Sequence, residues 1–144
     1  MTGVYRLTGV VKHYDWGGYT FIPALLQQSN NEHKPYAEYW MGTHVLGNAL
    51  AEVNGTAVPL TSITAHLPYL FKVLDVKDML SIQVHPSKQA AAIEFARENA
   101  AGVPLDSPQR NYKDDNHKPE MTVALSDFWL LHGFKPEKEL VYTL

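Results

Sequence analysis

The 144-residue chain contains no cysteine, and that one absence removes a disulfide framework, a thiolate zinc centre, an iron–sulfur cluster and a cysteine nucleophile together. Any metal must then be held by histidine, carboxylate or amide oxygen. No stretch approaches the ~18 apolar residues of a membrane-spanning helix. The opening MTGVYRLTGVVKHYDW carries Arg6, Lys12 and Asp15 without the apolar core of a secretory signal. A soluble, cytoplasmic protein with no membrane contact is the expectation. Basic clusters longer than a pair are missing and the formal net charge is −3, so binding to nucleic acid has no electrostatic footprint. A phosphate-cradling glycine loop and a Ser/His/Asp signature are missing too, which leaves P-loop chemistry and nucleophilic hydrolysis unsupported.

What is present suits one domain over residues 1–144 with one sizeable core: 45% of residues are hydrophobic and 19% charged. Nine glycines and nine prolines are scattered among short segments rich in β-branched and aromatic residues. The pattern predicts an irregular, β-rich domain with strands over 5–14, 38–46, 49–53, 70–76, 79–85 and 121–134. Asn54-Gly55 predicts a type I′ hairpin, because both residues accept positive φ. One helix is well marked: Ser87 after Pro86 as N-cap, then KQAAAIEFARENAA with Ala92, Phe95, Ala96 and Asn99 along one face, closed by Gly102 and Pro104. A second helix is expected over 21–28. Trp16, Trp40 and Trp129 are expected in the core. The polar stretch from Gly102 to Lys118 reads as a functional or mobile loop.

Two stretches carry the chemistry. In Leu80-Ser81-Ile82-Gln83-Val84-His85-Pro86, strand alternation puts Ser81, Gln83 and His85 on one face, where an amide oxygen and an imidazole can converge on one metal ion. A half-exposed strand whose polar face simply meets water is the alternative. In Asp114-Asp115-Asn116-His117-Lys118-Pro119-Glu120-Met121, Pro119 pushes Lys118 toward extended geometry and sets an ammonium beside a carboxylate at the mouth of an apolar run. Glu120 then stands where a metal ligand could, and His117 and Lys118 where protons could move or an anion bind; a charged surface turn is the plain alternative. Lys72, alone in the apolar run Leu67–Leu74, must snorkel, pair, or meet an anionic ligand. His13, His44, His66 and His132 have no ligand spacing and read as structural or surface residues.

In chain order, Tyr14-Asp15-Trp16-Gly17, Ala37–His44, Leu67–Leu74, Leu80–Pro86 with Lys88, and Asp115–Met121 closing on Gly133-Phe134-Lys135-Pro136 resemble the type I mannose-6-phosphate isomerases, zinc-dependent enzymes of the cupin superfamily. The Ser-Ile-Gln-Val-His-Pro and Asn-His-Lys-Pro-Glu-Met strings are the most specific of these. The resemblance implies a cupin-type jelly-roll β-sandwich with one or two short helices, incomplete against the family fold, with the chain as its amino-terminal portion. It implies Zn2+ on Gln83, His85 and Glu120, with a fourth ligand and an arginine further downstream. It implies interconversion of D-mannose 6-phosphate and D-fructose 6-phosphate through a cis-enediol, with Ser81 and Lys72 gripping phosphate or sugar. Lys118 and His117 would then serve ring opening and proton shuttling. The full-length family protein is expected to be a monomer, and an isolated amino-terminal portion to self-associate through its open edge. Val45 after His44, and His132 before Gly133, depart from the family pattern outside the ligand set. Two other readings stay open: a non-catalytic cupin module that binds a sugar phosphate or metal, and an Fe(II) cupin oxygenase, whose usual pair of histidines the trio lacks.

Overall fold

Asn54 and Gly55 both take positive φ, 50° and 79°, so the chain reverses in two residues and zips Val53 onto Thr56. This is the predicted hairpin, and it sits in the first of two units, Met1–Leu80 and Ser81–Leu144. The computed structural model describes residues 3–131 and 133–140; His132 lies outside the described residues.

The first unit contains strands β1 (Leu7–Thr8), β2 (Val10–Lys12), β3 (Glu38–Met41), β4 (Thr43–His44), β5 (Gly47–Asn48), β6 (Leu50–Val53), β7 (Thr56–Pro59) and β8 (Phe71–Leu74), with helix α1 (Phe21–Leu25). They form sheets in the orders β1-β6-β7 and β2-β3-β8 and the ribbon β4-β5. Every ladder is antiparallel. That is the expected mainly-β class with few short helices. β3 is central in its sheet, and Glu38, Tyr39 and Trp40 are buried in succession. Register sets Val10 against Trp40 on one side and Lys72 against Trp40 on the other. Gly17 runs so close to Ala37 that a Cβ would lie 2.6 Å from its backbone, so no larger residue fits there. Ala49, Ala51 and Leu60 form a small core under Tyr5, Ile63 and Leu67. Burying such side chains contributes about 1.5–3 kcal/mol for each large one.

The second unit is built on α2 (Lys88–Ala100), followed by the short α3 (Glu137–Leu140). Ser87 Oγ accepts the Ala90 N–H at 3.2 Å, the predicted N-cap. At the other end Gly102 takes φ 71°, its N–H reaches Asn99 O at 3.0 Å, and Val103 N–H reaches Glu98 O at 3.0 Å. These two bonds satisfy carbonyls that the helix itself leaves unpaired. The inward face, however, runs through Ala91, Glu94, Phe95 and Glu98 rather than Ala92, Phe95, Ala96 and Asn99. An acidic residue occupies it because it is needed there as an acceptor.

Among the described residues of 79–85 and 121–134 the expected strands do not form, and only Leu80 and Leu130 make isolated bridges. Alternation decides which side chains would share a face, but a strand also needs a neighbour for its N–H and C=O groups. Among the described residues of the second unit there is no strand. Accordingly Met121, Val123 and Leu125 stand exposed, and Trp129, expected in the core, is exposed as well. Trp40 is buried as expected.

Candidate functional site

α2 brings together the two stretches that the sequence singled out. Residues 83–86 lead into its first turn, and past its last turn the polar loop is fastened back along its side. Glu98 does the fastening: its carboxylate accepts the Asn111 N–H at 3.0 Å, the Tyr112 N–H at 2.8 Å and the Asn111 amide at 3.3 Å. The Asn111 backbone bond first, then those from Tyr112 and the Asn111 side chain, with Arg110 behind them, hold the Glu98 carboxyl below its ordinary pKa against the opposing effect of burial. The loop is therefore bonded to the side of α2.

Between the lead-in and the loop lies a cavity of about 600 Å3, lined by residues 83–86 and by six residues of the loop, Asp114 and Lys118 among them. His85 and Gln83 are thus brought to one cavity. Glu120 Oε2 stands 4.0 Å from His85 Nε2. That is too long for a hydrogen bond. Two donors at about 2.0–2.2 Å on a tetrahedral zinc stand ~3.3–3.6 Å apart, so the pair has to close by about half an ångström to share an ion. Among the described residues no three His, Cys, Asp or Glu side chains could hold a metal by themselves. A third protein donor at this spot has to come from another residue type, such as the Gln83 amide.

Lys118 Nζ donates to both carboxylate oxygens of Asp114, at 2.7 and 2.8 Å, and to Asn116 O at 3.3 Å. Asp114 Oδ1 also accepts the Asn116 N–H at 2.9 Å, which closes a tight turn under the lysine. A point charge on a flexible stem is thereby kept in one place on the cavity wall. His117 and Ser81 are exposed and do not line this cavity.

Lys72 belongs to the first unit, on β8. Its ammonium lies 3.6 Å from the buried Glu38 carboxylate and 5.8 Å from the centre of the Trp40 ring, over which Lys12 also sits at 4.5 Å. Glu38 in turn accepts the Trp40 indole N–H. Burial lowers the Lys12 pKa, opposed by Glu38. Lys72 thus pairs rather than snorkelling. The residue that the sequence did not single out is Arg110, nearly sealed from solvent inside the loop. Its only signal there was being a lone arginine in a polar loop twelve residues past an acidic helix position.

The family model for the catalytic domain of type I phosphomannose isomerase matches residues 4–137. The mannose-6-phosphate isomerase of Salmonella typhimurium is 38% identical over 156 residues, covering 96% of this chain and 40% of the relative. That of Macaca fascicularis is 39% identical over 163 residues, covering 96% and 36%. The crystal structure of the Salmonella typhimurium enzyme bound to fructose 6-phosphate and zinc superposes with TM-score 0.65 at 40% identity, over 79% of this chain and 33% of that one. The chain spans about 40% or less of the length of these relatives.

Proposed function

The chain belongs to the type I phosphomannose isomerase family, and from that we propose that it furnishes zinc ligands and proton-handling groups for the interconversion of D-mannose 6-phosphate and D-fructose 6-phosphate. The observation that carries the reading is the pairing of His85 with Glu120 beside a cavity that Gln83 and Lys118 also line. An amide oxygen, an imidazole and a carboxylate suit zinc, and Gln83, His85 and Glu120 would hold it. Zinc held there would supply redox-silent Lewis acidity at the C1 and C2 oxygens, where negative charge develops as the proton moves through a cis-enediol.

The chain's own groups do the rest. Lys118, bonded to both carboxylate oxygens of Asp114, is a donor suited to protonating the sugar ring oxygen as the ring opens. His117, next to it, is the group we assign to shuttling the proton; it has to turn toward the cavity to do so. Lys72 and Ser81 are assigned to the phosphate and the sugar hydroxyls, Lys72 because a compact ammonium complements a phosphate dianion. We place the reaction in the cytoplasm, as a step of carbohydrate metabolism, because a doubly charged sugar phosphate does not cross a bilayer unaided. No helix among the described residues is long and apolar enough to span a membrane.

The test is metal analysis of the purified protein followed by exchange of the C2 proton of mannose 6-phosphate with added zinc. His85→Ala is expected to lose both the stoichiometric zinc and the exchange. Zinc binding without any exchange in the unaltered protein would favour a binding module instead, and retention of zinc by His85→Ala would sink the ligand assignment.

A further inference from the structure

Arg110 has only 1% of its side chain exposed, yet it touches none of the groups assigned to the reaction. Its bonds run elsewhere. Nε donates to Tyr112 O, Nη1 to Val103 O and Nη2 to Asn99 Oδ1, each at 2.6 Å. The guanidinium sits 4.9 Å from the centre of the Phe95 ring, and Nε lies 3.7 Å from Glu98 Oε2. The same Glu98 accepts the backbone N–H groups of Asn111 and Tyr112. One buried cation and one nearly buried anion thus tie the start of the loop at Val103 and its middle at Tyr112 to one side of α2.

A buried guanidinium with its partners satisfied is weak evidence for stability, because well-packed apolar residues of the same volume do as well. What such a pair adds is directionality: a planar fork bonding three acceptors fixes position and orientation together. Asn111 and Tyr112 line the cavity themselves, and Lys113, Asp114, Asn116 and Lys118 follow them along its wall. Lys113 donates to Ser107 O at 2.7 Å, and Asp114 holds Lys118 and the Asn116 N–H. The line of fixed groups therefore runs unbroken from α2 to the ammonium on the cavity wall.

We propose that Arg110 and Glu98 are positioning residues: a buried clamp on α2 that sets where Asp114 and Lys118 stand in the cavity. The proposal rests on reading that cavity as the isomerase site. Neither residue touches the substrate. They act through the loop, so loosening them moves the proton donor while leaving Gln83 and His85 on the lead-in to α2.

The experiment compares Arg110→Lys and Glu98→Gln with the unaltered zinc-loaded enzyme, reading kcat and KM for mannose 6-phosphate, zinc content, thermal midpoint and amide hydrogen exchange over 111–118. Lysine keeps the charge but cannot serve three acceptors in one plane. Arg110→Lys is expected to lower kcat about 100-fold, the cost of displacing a reacting group by an ångström or so. KM should change little, zinc should still be retained through Gln83 and His85 though more weakly because Glu120 follows Lys118, and the loop amides should exchange faster. Glu98→Gln retains one acceptor oxygen and is expected to lose about tenfold in kcat, also from misplacement of the donor. If Arg110→Lys does not fold, Glu98→Gln decides. A lowered thermal midpoint with kcat, KM and exchange unchanged overturns the clamp, since that is what a merely structural role predicts. If the unaltered zinc-loaded protein shows no isomerase activity, the functional reading fails separately, and loop exchange alone then upholds the clamp if faster in the variants or overturns it if not.

Discussion

In Met1–Leu80 backbone is tied to backbone, through two three-stranded sheets and a ribbon, and most of the buried residues are apolar, Ile22, Trp40, Leu60 and alanines among them. In Ser81–Leu144 the described chain around α2 is tied by side chains reaching for backbone groups: Ser87 at the helix start, Glu98 along its side, Arg110 in the loop against it, Asp114 at the turn before Lys118. The difference has a physical consequence. A ladder spreads its stabilisation over many equivalent bonds, whereas a few charged side chains concentrate it, so one substitution can release a whole loop. The second unit is also where the proposed chemistry lies, and geometry fixed by a few strong directional bonds is easier to place to within a fraction of an ångström than to make stable.

Removing bulk from the ladder region should have the largest thermodynamic effect. Trp40 is 8% exposed in the middle of the β2-β3-β8 sheet, donates its indole N–H to Glu38, and lies under the ammonium groups of Lys12 and Lys72. Trp40→Ala is expected to cost about 3–5 kcal/mol, combining lost transfer energy with an unfilled cavity. Chemical denaturation measures it; a loss under 1 kcal/mol would mean that the sheet, not the ring, carries this region. Ser87→Ala should cost far less, about 1 kcal/mol, the usual worth of a lone N-cap. Its signature is local: exchange at the Ala90 amide should quicken, and an unchanged Ala90 amide would show that the cap bond is not holding the first turn of α2.

How much of this was legible in the sequence follows the same division. Asn54-Gly55, Ser87 and Gly102 could be read because their conformations are dictated by one or two residues at most: positive φ, a short hydroxyl side chain, a missing Cβ. The strands over 5–14, 38–46, 49–53 and 70–76 appear, though shorter, because each finds an antiparallel neighbour in the same unit. Those over 79–85 and 121–134 have equally good alternation, yet among their described residues only Leu80 and Leu130 make isolated bridges. The inward face of α2 was misjudged for a related reason. Hydrophobicity ranks Ala92 and Ala96 above Glu98, but the loop packed there presents N–H groups and a guanidinium to Glu98, so an acid takes that position. Gln83, His85 and Glu120 stood out by residue type, whereas Arg110 did not, since nothing local reveals that an arginine will be sealed.

The subtlest test of the comparison is to titrate the fastening itself. Glu98 has its carboxyl held below its ordinary value of 4.5, chiefly by the Asn111 backbone N–H, then by the Tyr112 N–H, the Asn111 amide and Arg110. A carboxylate depressed in the folded state contributes stability that is fully present above the unfolded value and is lost as pH falls through the folded one. The amide proton resonances of Asn111 and Tyr112 should therefore follow a step whose midpoint lies below 4.5, since the bonded carboxylate resists protonation. Glu98→Gln, which has nothing to titrate, should show no such step. If the two proteins shift together, or if the step falls above the ordinary carboxylate value, the loop is held by something other than this anion. The second unit would then be less dependent on a few charges than the bonds to Glu98 imply.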